Sequence, residues 1–149
     1  MLKRISMKSV KTYLFSLSLL VLSACTTDKP PSQIYEEYNS KVIQGIDFDD
    51  EKAYFTKRKQ EEVESKMPQY MESMNKTREE VIKVYLDFSR GLAKCKEIAL
   101  IKEEITGNTA TLEYSQKDIC GNESTSQEKQ LILMINENGW KIDDVVVSI

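Results

Sequence analysis

The spacing of apolar residues changes once along this chain, at Cys95, and that change limits the fold more than any other feature. Before it, apolar positions recur every three or four residues, as on one face of a helix. Ser32 can cap a helix carrying Ile34, Tyr35, Tyr38, Val42 and Ile43, with Gly45 as its left-handed end. Thr56 to Met74 is charged and helical, with Val63, Met67, Tyr70, Met71 and Met74 on one stripe and Pro68 as an expected break or kink. Thr77-Arg78-Glu79-Glu80 reads as a capping box, and the helix it opens has the clearest stripe in the chain: Val81, Val84, Tyr85, Phe88 and Leu92. After Cys95 the side chains alternate instead. Ile98 to Ile105 and Thr109 to Tyr114 flank a Gly107-Asn108 turn; Gln130 to Ile135 and Trp140 to Ile149 flank Asn138-Gly139, a hairpin signal. Helices first and antiparallel strands afterwards predict an α+β domain, with N-terminal helices packed on one face of a curved antiparallel sheet of about four strands. Tyr85, Phe88 and Trp140 are the residues expected at the helix–sheet interface.

A different pattern precedes the domain. Lys3, Arg4, Lys8 and Lys11 are followed by an apolar run from Tyr13 to Leu22 and then by Leu22-Ser23-Ala24-Cys25. Basic, apolar, small is the order of a secretory signal peptide, and a run of about 10 apolar residues is too short to span a bilayer. Leu-Ser-Ala-Cys resembles the bacterial lipobox, in which the cysteine is acylated and becomes the first residue of the mature protein. That resemblance implies a signal peptide over residues 1–24, an acylated Cys25 with a polar tether over 25–32, and a single domain over 33–149. Pro30 and Pro31 keep the tether extended. Thr26, where an aspartate would favour the inner membrane, implies the outer membrane, with the domain facing the periplasm.

Composition narrows the classes of function. All 24 acids lie after the leader, which holds four of the 21 bases, so the mature chain is more acidic than the precursor's net charge of −3. An acidic domain without a basic stripe argues against nucleic acid as a partner. No histidine occurs, which removes serine and cysteine triads, the usual zinc sites and the commonest general base.

Besides Cys25 there are two cysteines, Cys95 and Cys120, and in an exported protein two thiols most simply pair. Register points the same way. A two-residue Gly107-Asn108 turn sets Thr106 opposite Thr109, and counting outward along both strands brings Cys95 opposite Cys120. A bulge on one strand would shift that register, leaving a bend at the helix end to restore contact.

Tyr35 and Tyr38 on one helix, Gly45-Ile46-Asp47-Phe48, the long middle helix, Gly107-Asn108-Thr109-Ala110-Thr111 and the closing Asn138-Gly139-Trp140-Lys141-Ile142-Asp143-Asp144-Val145 together resemble small bacterial lipoproteins of the nuclear transport factor 2-like class. The resemblance implies a cone-shaped α+β domain whose sheet and helices often enclose a pocket. Some relatives in that class are isomerases or dehydratases, and many are binding or assembly modules. No motif carries a catalytic residue across by position, so the catalytic residues stay unassigned.

Other chemistry weighs less than its structural alternative. Asp143-Asp144 are adjacent on a strand and so point to opposite faces, which reads as one solvated and one edge acid. Asp47, Asp49 and Asp50 lack the glycine and glutamate of a calcium loop and read as helix-start acids. Met67, Met71 and Met74 read as core filler before copper ligands, and Tyr35, Tyr38, Tyr54, Tyr70, Tyr85 and Tyr114 as packed rings with wet hydroxyls. No metal or cofactor is expected. The leading expectation is a non-catalytic lipoprotein, membrane-anchored through Cys25, that binds a small ligand or an envelope protein. Behind it stand an isomerase or hydratase using a pocket carboxylate or tyrosine, and an immunity or inhibitor protein with an acidic face. A deep pocket holding a buried carboxylate would favour the enzyme.

Overall fold

A computed structural model describes residues 29–121 and 128–148. The leader, Cys25, the start of the tether and most of the polar loop from Gly121 to Ser126 lie outside the described residues. Four helices precede four strands: α1 (Pro31–Gln44), α2 (Phe48–Lys52), α3 (Lys57–Met74), α4 (Arg78–Lys94), β1 (Lys96–Thr106), β2 (Thr109–Asp118), β3 (Glu128–Asn136) and β4 (Trp140–Ser148). The strands form one open antiparallel meander in the order β1-β2-β3-β4. The change of period at Cys95 is thus the boundary between the helical half and the sheet.

Local chemistry fixes the helix ends. α1 starts one residue before the expected cap: Pro31 takes its first position, and Ser32 instead donates its backbone N–H to Glu103 Oε1 at 3.0 Å. Gly45 ends α1 at φ 102°, and an added Cβ there would lie 3.3 Å from the Arg90 guanidinium, whose Nε donates to the Ile43 carbonyl. Asp47 caps α2 by accepting from the Asp50 N–H at 2.8 Å, as befits a helix-start acid. Thr56 caps α3, and Thr77 with Glu80 forms the reciprocal capping box of α4. Pro68 does not end α3, which runs unbroken to Met74.

The core lies between α1 and the inner face of the sheet. Tyr35 is buried among Ala110, Leu112, Tyr114, Ile132, Met134, Trp140 and Ile142, flanked by Ile34, Tyr38, Tyr54, Phe55 and Ile98. Alternation on β2 places Ala110, Leu112 and Tyr114 inward, as their spacing requires. Tyr54 to Thr56 then closes the β4 edge: the Ile142 N–H donates to the Tyr54 carbonyl at 2.7 Å and the Thr56 N–H to the Ile142 carbonyl at 3.0 Å.

This arrangement overturns one expectation. Trp140 is in the core, but Phe88 is 65% exposed, and Val84, Tyr85 and Leu92 are also exposed. α1 and the Tyr54–Phe55 segment already occupy the sheet's inner face, so α4 packs on α1 and α3 instead. Its stripe faces α3, not the sheet.

Cys95 and Cys120 form a disulfide with Cα atoms 5.1 Å apart. Thr106 does pair with Thr109, but a bulge between Leu100 and Lys102 shifts the register by one. Cys95 therefore faces Ile119, whose N–H donates to its carbonyl at 2.9 Å. The bend after β2 brings Cys120 back to it, so the two cysteines bond without sitting directly opposite each other.

Candidate functional site

The most distinctive side chain among the described residues is Glu51. It stands in a short run of acids on α2, yet it is only 2% exposed. Tyr38 on α1 and Tyr85 on α4 each donate a hydroxyl to the same oxygen, Glu51 Oε1, at 3.0 Å. Burial raises the Glu51 carboxyl above its ordinary range, while the two hydroxyl donors pull it back. Burial raises both phenols too, and the adjacent carboxylate adds to that, so they stay protonated donors. Among the described residues no cation forms an ion pair with Glu51. Neighbouring Lys52 is committed to Asp49 at 3.3 Å and Glu64 at 3.2 Å, with its ammonium 4.7 Å from the centre of the Phe48 ring. Lys59 is committed to Glu62 and Asp144.

Glu51 lies at the floor of a groove of about 390 Å³ between α3 and α4. Val63, Met67, Tyr70 and Met74 form one wall and Val84, Tyr85 and Phe88 the other, with Phe48 and Phe55 near the floor. The walls arise directly from the two helical stripes, each having its apolar residues at spacings of three and four. Thr77 and the left-handed Asn75 join the helices at one end. The bidentate Arg78–Glu64 pair, 2.8 Å on each arm, crosslinks them. A second, more polar cavity of about 320 Å³ between α1 and α4, bordered by Val42, Glu79, Lys83, Asp87 and Arg90, also touches Glu51. The site can therefore take an apolar body along the groove and one polar group at its floor. As an acid–base centre it is restricted, because Oε1 is already engaged twice.

The other candidates resolve as follows. Cys25 lies outside the described residues, and Cys95 and Cys120 are bonded at the junction of α4 and the sheet. Asp143 and Asp144 do not diverge as adjacent strand residues should. A bulge between Leu133 and Met134 leaves Asp143 unpaired in the ladder, and both acids turn to the start of α3. Asp143 Oδ1 accepts from Thr56 Oγ1 at 2.7 Å and from Arg58 Nε at 2.9 Å, and Asp144 meets Lys59 at 3.5 Å. The Arg58 guanidinium holds Asp143 below its ordinary range. Met67 is buried and Met74 exposed, both in the groove wall. Among the described residues no group of three His, Cys, Asp or Glu side chains is placed to hold a metal, and no helix is long and apolar enough to cross a membrane.

The tyrosines are more specific than packed rings with wet hydroxyls. Tyr54 donates to Glu37 at 2.9 Å, Tyr114 approaches Glu36 at 3.4 Å, and Tyr35, raised to about 12 by burial, donates to Gln130 at 3.0 Å. Glu51 itself escapes sequence reasoning because Asp47-Phe48-Asp49-Asp50-Glu51 looks uniformly solvated; its place three residues after the half-buried Phe48, on the same helical face, is the one inward signal. Comparison with protein-family models, curated proteins and solved structures finds no match to this chain.

Proposed function

We propose that this chain is an outer-membrane-anchored lipoprotein, acylated at Cys25, whose periplasmic domain is a non-catalytic binding module of the nuclear transport factor 2-like kind. Its binding site is the α3–α4 groove, and its ligand is apolar along most of its length. The observation that carries the reading is the pair of facing stripes, left uncovered by the sheet and floored by a buried carboxylate. Exposing such a face to water has a free-energy cost that an apolar ligand would relieve.

The buried Glu51, whose carboxyl burial pushes above its ordinary range, favours the second reading, an isomerase or hydratase. Against that reading, Glu51 Oε1 is spent on Tyr38 and Tyr85, which leaves only Oε2 of a side chain 2% exposed for a reacting proton, and no histidine stands by as a second acid–base group. The inhibitor reading draws less support, because Glu37, Glu62, Glu64 and Asp143 are each paired with a base and so contribute less free charge to an acidic face.

The test is photocrosslinking in the native membrane with a photoreactive amino acid at Phe88 or, as control, at Lys117 on the sheet. A discrete adduct at Phe88 and none at Lys117 supports the groove. Equal, diffuse labelling at both positions would remove it.

A further inference from the structure

We infer that the α3–α4 groove selects a cationic amphiphile, a single alkyl chain ending in an ammonium group, with the chain along the groove and the cation at Glu51. The inference rests on the groove being the binding site and adds the charge of the ligand. Three observations carry it. First, Glu51 is a buried carboxylate with no cationic partner, an arrangement that is costly unless something positive is brought to it. Second, both hydroxyl donors converge on Oε1, and no described residue donates to Oε2. No buried side-chain oxygen is left without a partner among the described residues, so Oε2 keeps a small opening to solvent, and the proposed ligand group enters there. Third, Tyr85, which touches Glu51, and Phe55 also line the groove, and aromatic faces attract an alkylammonium as carboxylates do; the Phe48 ring already meets Lys52 and Arg78.

The alternative head group, an anion, would have to use Lys52 or Lys59. Each already meets two carboxylates, and an incoming anion would sit beside the buried Glu51 charge. The wall from Val63 to Met74 spans eleven helical steps, roughly 16 Å, which is long enough for an extended chain of about ten to twelve carbons. The chemistry recognised is thus a long-chain primary or quaternary alkylammonium with no anion beside the cation.

The experiment uses the mature lipoprotein in phosphatidylcholine vesicles. Three ten-carbon diazirine probes differ only in their head group: ammonium, hydroxyl or carboxylate. Labelling of α3 and α4 peptides is read by mass spectrometry and normalised to labelling of the vesicle lipid, which removes differences in partitioning. The ammonium probe is expected to label at least ten-fold more efficiently than the carboxylate probe on the unaltered protein. Glu51→Gln, which keeps the acceptor for both tyrosines, is expected to bring the two within about two-fold and to leave the hydroxyl probe unchanged. Decyltrimethylammonium that competes as well as decylamine would place the specificity in the positive charge itself; competition by the amine alone would restrict it to primary ammonium. Equal labelling by all three probes, a carboxylate preference, or an ammonium preference that survives Glu51→Gln in a folded variant would overturn the inference while leaving the groove as a site. Failure of every probe to label α3 or α4 would remove the groove reading itself. The unaltered protein alone decides the head-group preference should the variant not fold.

Discussion

At Glu51 the cost of taking a carboxylate out of water outweighs what two hydroxyl donors return, so the folded protein ionises this group at higher pH than the unfolded chain does. A group raised in this way contributes stability below its unfolded value and loses that contribution as pH rises through its folded one. Glu51→Gln should therefore stabilise the fold at pH 7 by an amount on the order of 1 kcal/mol, seen as a higher melting temperature, and the gain should vanish near pH 4. Thermal melts at the two pH values check this; a gain of equal size at both would show that the charge is not the cause. Asp143 has the opposite sign. Arg58 lowers it, so its contribution is full above the ordinary carboxylate range and is lost as pH falls through its folded value. Asp143→Asn should cost about 1.5–3 kcal/mol at pH 7, because a mostly buried oxygen bound to Thr56 and Arg58 loses its charge, and far less at pH 2. Neither effect was legible in the sequence. Both acids sit beside other acids, and only the packing of α1 and α4 around Glu51 and the bulge at Asp143 separate them from their neighbours.

Elements were more legible than contacts. The capping box at Thr77, the left-handed Gly45, the Asp47 cap and both hairpin turns involve residues a few positions apart, so sequence spacing carries the geometry directly. What a stripe faces depends on which other element reaches the sheet first, and that is a property of the whole fold. α4 has the clearest apolar stripe, yet α1 holds the sheet. The two roles predict different mutational costs. Phe88→Ala should change stability by no more than about 0.5 kcal/mol, because the side chain is exposed. Leu112→Ala, fully buried under α1, should cost about 2–5 kcal/mol. Denaturant unfolding of both variants decides it, and a large loss at Phe88 would mean that the stripe is covered. The disulfide belongs to this scale as well. Joining α4 to the end of β2 across a sequence separation of 25, it should stabilise the fold by about 3 kcal/mol, read as the shift in unfolding midpoint on reduction.

For the molecule as a whole, the sheet, its single core and the helical layer occupy residues after Pro30, and the residues that would anchor the chain precede them. Anchor and groove are therefore separable on this reading. Of the tether over residues 25–32, Pro31 and Ser32 belong to the start of α1, and the described residues of the tether do not line the groove. Cys25→Ala should abolish palmitate labelling, because the thiol is the acceptor of the first acyl group in the lipobox that the leader resembles. It should leave the unfolding midpoint of the domain within about 0.5 kcal/mol, since no core residue changes. Detergent partitioning and metabolic labelling read the first effect, and chemical unfolding reads the second. The two results together distinguish the alternatives. Persistent labelling would mean that Cys25 is not the acylated residue, and a large loss of stability would mean that the N-terminal segment packs on the domain. Loss of the lipid with an unchanged domain is the outcome expected if the lipid sets location while the α3–α4 groove, with Glu51 at its floor, sets what is bound.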